Sequence, residues 1–525
     1  METDAVWTDL VEWLARIPGG TGVEDKVRLV HTEAGRGLVA RGSQPPGTVL
    51  ISIPNAALLN LRTLRPLYPP VFASLNASQW LPLHIALQFR RHLSAATLPT
   101  TERSSARENG ASAPRDRPPP QQPSSRKRPP IPQDKYWPYL ASLPRSFPTI
   151  PLAWAIHALS AETLRADFAV PDGDASLVRL REAEAVPGMR EARRRRREGH
   201  RDLLERMPGA ARRNAEDVER RFREDWIAVK QVWAEHGKLV EGELTFLDFV
   251  LAWLNVNTRS IYFDIDGRKE NNLTLCPVID MINHSPGRVT KPDPRLSCLT
   301  FPAPSANSSD PRLGDGDELS FQYGSHDDAF LLAEYGFVVG DDNLYNAVVV
   351  DEYVEVLFEA QGAEGELKKG ILKDEGYWGD MTLQATPPAS PSWRVLVALR
   401  LLHHRLPAGT SASLSASALA PWYHVLSGAR ETVSPANEAK VVASWRAIAL
   451  SAVLDSEAGV KKCEELVRQW DRESGLAEGR GEKEKDKSQL EDWRNMRASL
   501  QMIRTVWASQ GTIARAVLKV DEAAS

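Results

Sequence analysis

The sequence predicts an α+β chain, with a β-rich half interrupted by insertions followed by an all-helical half. Three observations carry this. Short β-rich runs at Val27–Val30, Gly37–Ala40 and Val49–Ile53 are separated by Gly and Pro-Pro-Gly. A second compact β-rich stretch covers Leu273 to Gly340. After Asp351 the apolar period becomes helical, as in "WRVLVALRLLHHRL" and "SWRAIALSAVLDS".

Before the first strand, Val6, Leu10, Trp13, Leu14 and Ile17 recur at helical spacing, which predicts an N-terminal helix. The block 94–132 is rich in Ser, Pro, Arg and Thr and poor in large apolar residues. It cannot bury enough surface to offset ordering entropy, so a disordered insertion is expected there. From Ser176 to Trp233 the chain is charged and helical in pattern, and "TFLDFVLAWLNVNTRSIYF" continues as helix into the second β-rich stretch. The charged segment "DRESGLAEGRGEKEKDKSQLED" reads as a flexible loop between two late helices.

Composition narrows the function classes. The 525 residues allow two or three domains with real cores, and 42% hydrophobic with 26% charged residues is ordinary for a globular protein. A net charge of -4 gives no bulk attraction to nucleic acid or anionic membrane, so such binding requires a local patch. Three cysteines, Cys276, Cys298 and Cys463, are too few and scattered for a disulfide scaffold or a Cys-rich zinc site, which suits a reducing compartment. No apolar run approaches the ~20 residues of a membrane span. The acidic, amphipathic start lacks the layout of a signal peptide. A cytoplasmic or nuclear protein is expected. Arg193–Arg197 and "SRKRPP" are candidate import or RNA segments; Glu is interleaved around the arginine run, which favours a solvated helix face.

Two motif-like features fail on context. Gly35-Arg36-Gly37-Leu38-Val39-Ala40 fits G-x-G-x-x-A, but a dinucleotide turn requires a helix next, and here Gly42 and Pro45-Pro46-Gly47 lead to another strand. His403 and His404 are adjacent on a helical segment, which points them apart and argues against a metal site.

"VIDMINHSPG", Val278 to Gly287, is an apolar, strand-like run ending in Asn283, His284 and Ser285. Taken alone it reads as a turn. It lines up, however, with "EAGRGL" upstream and "GDELSFQYGSHDDAFLLAEYGF" from Gly316 to Phe337. Asn283-His284-Ser285 match N-H-S, and Glu318, Leu319 and Tyr323 match E-L-x-x-x-Y. In order and chemistry these segments resemble the SET-domain protein methyltransferases. The long insertion, the helical second half, "WLNVNTRSIYF" and "YWPYLASLP" resemble the group typified by Rubisco lysine methyltransferase, which includes fungal ribosomal-protein methyltransferases and the actin-histidine methyltransferase. Histone-type members carry Cys-rich zinc clusters that three cysteines cannot supply, so the non-histone branch is favoured.

The resemblance implies a β-rich SET fold with one segment threaded beneath another and a helical insertion, then an all-α substrate-binding domain. Its divisions are an N-terminal helix (1–22), SET parts at 23–93 and 256–345, the disordered insertion (94–132) and a helical insertion (133–255). The last division is the helical domain (346–525), with a flexible loop near 471–490. It also implies S-adenosylmethionine as cofactor and a protein-lysine acceptor in a non-histone protein, ribosomal or translational. That substrate would dock on the helical domain of a monomer, with no direct nucleic-acid partner, no membrane and no metal. Tyr323 is then the catalytic residue. Gly35, Arg36, Gly37, Arg259, Asn283, His284, Tyr335 and Phe337 are expected at the cofactor, with Asp280 and Tyr335 near the substrate. Asp280 reads equally as a structural acid, Tyr335 and Phe337 read also as core, and Glu318 is expected to tie the crossing segments together. The family often places an acid directly before the first glycine, where this chain has Ala34, with Glu33 one earlier. A degenerate SET scaffold and a histidine acceptor remain the alternatives.

Overall fold

The computed structural model describes residues 2–20, 23–32, 35–97, 134–264, 267, 269–406, 416–474 and 487–522. Most of the expected disordered insertion, the "SRKRPP" segment, the Glu33-Ala34 pair and residues 475–486 of the expected loop lie outside them, and the described ends of that loop, 471–474 and 487–490, are helical instead. The chain divides into two compact units: Met1–Phe147 with Ile156–Arg197 and Glu216–Tyr323, and Pro148–Ala155 with Glu198–Ala215 and Gly324–Ser525.

In chain order the first helices and strands are α1 (Glu2–Arg16), β1 (Val27–Thr32), β2 (Gly35–Ala40), β3 (Val49–Pro54), α2 (Leu61–Leu64) and α3 (Ala77–Thr97). The helix α3 carries the chain four residues into the block expected to be disordered, because Leu93, Ala95 and Ala96 favour helix. Next come α4 (Trp137–Ser142), α5 (Pro151–His157), α6 (Ala161–Phe168), α7 (Ala175–Ala185), α8 (Pro187–Arg206), α9 (Gly209–His236) and α10 (Phe246–Arg259). Short strands follow: β4 (Ser260–Tyr262), β5 (Leu273–Leu275), β6 (Asn283–His284), β7 (Asp293–Pro294), β8 (Cys298–Pro302) and β9 (Ser320–Phe321).

In the first unit β1 pairs antiparallel with β2, placing Thr32 opposite Gly35. The glycines therefore close a hairpin; the dinucleotide turn rejected on sequence grounds has no helix here. Strand β8 lies between β3 and β7, β4 pairs with β5, and β6 runs parallel to β9. The helices of this unit meet around an aromatic core. Phe222 stands 5.5 Å from Trp253, and Trp226 5.3 Å from both Phe246 and Phe249. Asp174 joins two helix starts. Its Oδ1 accepts from Ser176 N–H at the head of α7, and its Oδ2 from Phe246 N–H at the head of α10 (both 2.8 Å).

The second unit holds α11 (Asp328–Tyr335), β10 (Ala347–Val349), α12 (Asp351–Glu359), α13 (Ala363–Asp374), β11 (Thr382–Gln384), β12 (Ser390–Pro391), α14 (Trp393–Leu402), α15 (Ala416–Leu426), α16 (Pro435–Ser474) and α17 (Lys487–Glu522). Two expectations are corrected here. The second half also contains the sheet β10-β11-β12, whose strands of two or three residues are too short to show a period. The stretch read as β-rich up to Gly340 includes helix α11. Asp327 caps its start by accepting from Phe330 N–H (2.8 Å), and Gly336, at φ 75°, ends it. Trp422, fully buried, donates to Val397 O (3.1 Å) in this unit's core. His403 and His404 are each bonded separately, to Ser444 Oγ and Ala418 O (both 2.7 Å). Among the described residues no group of three His, Cys, Asp or Glu side chains is placed to hold a metal, and no helix is long and apolar enough to cross a membrane.

Candidate active site

The run "VIDMIN" is not the strand its apolar sequence predicts. Val278 has φ 68° and ψ -49°, and Ile279 N–H donates back to Pro277 O (2.8 Å), a γ-turn of the positive-φ kind. A β-branched residue rarely adopts this backbone, and Val278 holds it with its side chain fully buried. One 3-10 turn, Ile279–Met281, follows, and only then the strand β6. The tight reversal aims Asp280 inward and delivers Asn283 and His284 in extended form.

Three distant segments meet at β6. The segment Asp317–Phe321 is bonded to β2 on one side, through Ala40 N–H to Asp317 O (2.9 Å) and Leu319 N–H to Leu38 O (2.8 Å). On its other side it pairs with β6, and Ser285 N–H donates to Phe321 O (3.1 Å). The Asn283 side chain closes the crossing: its Nδ2 donates to Arg36 O (3.2 Å) and to Glu318 Oε1 (2.8 Å). Gly37 makes room, since a Cβ there would stand 2.7 Å from Glu318 Oε1 and 3.0 Å from Asn283 Nδ2. The Asn283 amide nitrogen, expected at a cofactor, is thus committed to the backbone crossing.

Tyr323 hangs from the same crossing. Its hydroxyl donates to Ile282 O (2.8 Å) and its N–H donates to His284 Nδ1 (3.0 Å), which puts the imidazole proton on Nε2. The Tyr323 ring lies 5.2 Å from His284 and 5.0 Å from Phe321. Its phenol is held at one end by a carbonyl and walled by two rings.

Behind this lies a charged cluster. Arg259, at the end of α10, donates through Nη1 to Asp280 O (2.8 Å), and the same nitrogen stands 3.5 Å from Asp280 Oδ2. Tyr139 on α4 donates its hydroxyl to Asp280 Oδ2 (3.0 Å), and Arg36 donates to Ser142 O at the end of α4 (2.8 Å). The Asp280 side chain is 1% exposed. Burial pushes its carboxyl up from the usual value, against the pull of Arg259 and the Tyr139 bond. Burial and then the Arg259 charge lower the Arg36 guanidinium, while Asp280 acts the other way. Asp280 Oδ1 and Arg259 Nε are buried without a hydrogen-bond partner among the described residues. Two guanidiniums thus share one carboxylate, and the cluster has cationic and donor capacity for a further anion.

The structure brings together Gly35, Arg36, Gly37, Arg259, Asp280, Asn283, His284 and Tyr323 in the first unit. Tyr335 and Phe337 belong to the second unit, where their rings stand 6.0 Å apart. Sequence reasoning missed Tyr139 and Ser142. The quoted segment "YWPYLASLP" contains both, but nothing local marks a tyrosine whose partner lies 141 residues away.

No family model matches the chain. Over 230 residues it is 31% identical to ribosomal lysine N-methyltransferase 2 of Saccharomyces cerevisiae, covering 38% of this chain and 45% of that one. Over 279 residues it is 27% identical to SET domain-containing protein 4 of Mus musculus, covering 50% and 58%. The chain spans about half the length of these relatives. Among solved structures, one described as the SET domain of LSMT bound to lysine and AdoHcy superposes with a TM-score of 0.49 at 14% identity, over 99% of this chain and 93% of that one. The sequence likeness thus falls on a ribosomal lysine N-methyltransferase and on a SET domain-containing protein.

Proposed function

We propose that the chain is an S-adenosylmethionine-dependent protein-lysine N-methyltransferase acting on a non-histone protein of the ribosome or translation machinery. The observation that carries this is the Tyr323 hydroxyl, whose proton is committed to Ile282 O at the crossing of β2, β6 and β9. A phenol that donates to a carbonyl presents its lone pairs elsewhere, as a fixed acceptor for an amine N–H or a polarised C–H. The likeness to ribosomal lysine N-methyltransferase 2 supports the substrate class.

The residues present fit the cofactor. The surplus of Arg36 and Arg259 over Asp280 suits a carboxylate, and the glycines of β2 allow close backbone approach. When bound, S-adenosylmethionine supplies a sulfonium methyl as the electrophile. The chain aligns the acceptor and excludes water. Tyr323 orients the attacking nitrogen, while Phe321 and His284 hold the Tyr323 ring in place. A lysine of pKa ~10.4 must be neutral to attack, and desolvation beside these rings favours the neutral amine. The helical second unit is the proposed dock for the substrate protein.

Incubation with tritiated S-adenosylmethionine and fractionated ribosomal protein tests the proposal. A labelled band that fades with Tyr323→Phe supports it, and mass spectrometry of that band distinguishes lysine from histidine. Cofactor binding without any labelling would favour a scaffold.

A further inference from the structure

We infer that the exposed arginines of α8 from Arg190 to Arg196, which project around the helix, form an RNA-docking segment that contacts phosphates. The chain as a whole carries a net charge of -4, yet from Pro187 to Arg197 six arginines, Arg190 and Arg193–Arg197, meet one acid, Glu191. The structure places this run on helix α8. Arg190, Arg194, Arg195 and Arg196 are exposed, with the side chains of Arg194 and Arg195 54% and 62% accessible. Arg197 pairs with the Glu184 carboxylate on α7, which leaves it out of the docking set, while exposed Arg190 donates only its Nε to Glu184 O (2.8 Å).

Helical form decides between uses of such a run. A receptor groove that takes basic peptides in extended form would have to unwind α8, whereas phosphates along a folded RNA can be met by side chains spaced on a helix. The guanidinium fork fits phosphate bidentately. Met189 and Val186, 56% and 49% exposed beside the arginines, offer apolar surface to sugars and bases. Glu191 bonds both Arg194 and Arg195 at 2.9 Å. These exposed pairs are weak in water and can exchange for phosphate. Glu191 then acts as an internal competitor that moderates affinity. An acidic peptide is the rival ligand. The choice of RNA over DNA rests on the ribosomal substrate proposed above; the phosphate contacts themselves do not depend on methyl transfer.

The test is fluorescence anisotropy of the full chain with a labelled RNA hairpin, a DNA duplex of equal length and polyglutamate, across a salt series. The proposal expects RNA to bind most tightly. It expects replacement of Arg190, Arg194, Arg195 and Arg196 by Gln to weaken RNA binding at least about tenfold near 100 mM salt, and to flatten the log–log salt slope by about 3. Glu191→Gln, which removes the competitor and leaves every arginine in place, should tighten binding about two- to fivefold. Tyr323→Phe should bind RNA as the parent does, so that failed methyl transfer is read separately. Polyglutamate or DNA binding as tightly as RNA would overturn the inference. An unchanged salt slope in the four-arginine variant, or no effect of Glu191→Gln, would do the same.

Discussion

Tyr139 donates its hydroxyl to Asp280 Oδ2 across 3.0 Å, and both side chains are shut away from water. The bond reaches from a helix next to the insertion to the turn that delivers Asn283 and His284. It makes the short helix α4 part of the site, because Ser142 at its end also accepts from Arg36.

Removing that hydroxyl gives the first prediction. Burial raises the Tyr139 phenol well above its ordinary value, so it stays a donor throughout the working range. In Tyr139→Phe the Asp280 carboxyl loses a bond that favours its ionised form, and its already raised value climbs further. The acid limb of the transfer rate against pH should shift upward. An unmoved limb would show that Asp280 ionisation plays no part.

Gly37→Ala sets a methyl into the crossing of three segments. The new Cβ would press on Glu318 Oε1 and Asn283 Nδ2, at a cost of about 1–3 kcal/mol. Cofactor affinity measured by calorimetry should fall at least about fivefold. In Gly37→Ala with Glu318→Ala, part of the loss should return. Equal losses in both variants would place the cause elsewhere.

A buried His–Asp pair predicts an unusual pH profile of stability. His84 and Asp134 are both 2% exposed, 3.9 Å apart, and Tyr68 bonds His84 Nδ1 (2.8 Å). Burial pushes His84 down to about 3 and Asp134 up to about 6. The lowered histidine contributes stability that is present above pH ~6.5 and is lost as pH falls toward 3. The raised aspartate contributes stability that is present below pH ~3.9 and is lost as pH rises through 6. Between pH 4 and 6 the two slopes oppose. Denaturant midpoints of the parent should change little there from this pair, Asp134→Asn should lose stability on acidification at up to about 1.4 kcal/mol per pH unit, and His84→Gln should gain it. Parallel profiles for both variants would refute the pairing.

In the second unit Asp328, 1% exposed, accepts four bonds: from Val339 N–H (2.9 Å), Gly340 N–H (2.8 Å), Asn343 Nδ2 (2.9 Å) and Asn346 Nδ2 (3.0 Å). Asp328→Ala would strand the Val339 and Gly340 N–H groups, while Asn343 Nδ2 keeps His326 O and Asn346 Nδ2 keeps Gly340 O and Ser509 Oγ, at a cost of about 3 kcal/mol. The loss should appear as a lowered thermal midpoint; a change under 1 °C would contradict the role given to Asp328.

The sequence showed where chemistry gathers better than how the backbone gets there. Asn283, Glu318 and Tyr323 were legible because their residue types and order form motifs. The γ-turn at Val278 was not, since Val and Ile favour strands and nothing local announces a positive φ. Tyr139 was hidden because its reason for being tyrosine is a carboxylate far along the chain. The strands β10, β11 and β12 escaped because two or three residues carry no period. Most of the long helices were plain from apolar spacing, which is a property of long windows.

The most direct measurement compares parent and Tyr323→Phe for S-adenosylmethionine affinity and for single-turnover methyl transfer to the same substrate. The account predicts affinity within about threefold and transfer slowed about 100-fold, because the phenol oxygen positions the acceptor nitrogen. Equal transfer rates in the two proteins would contradict it.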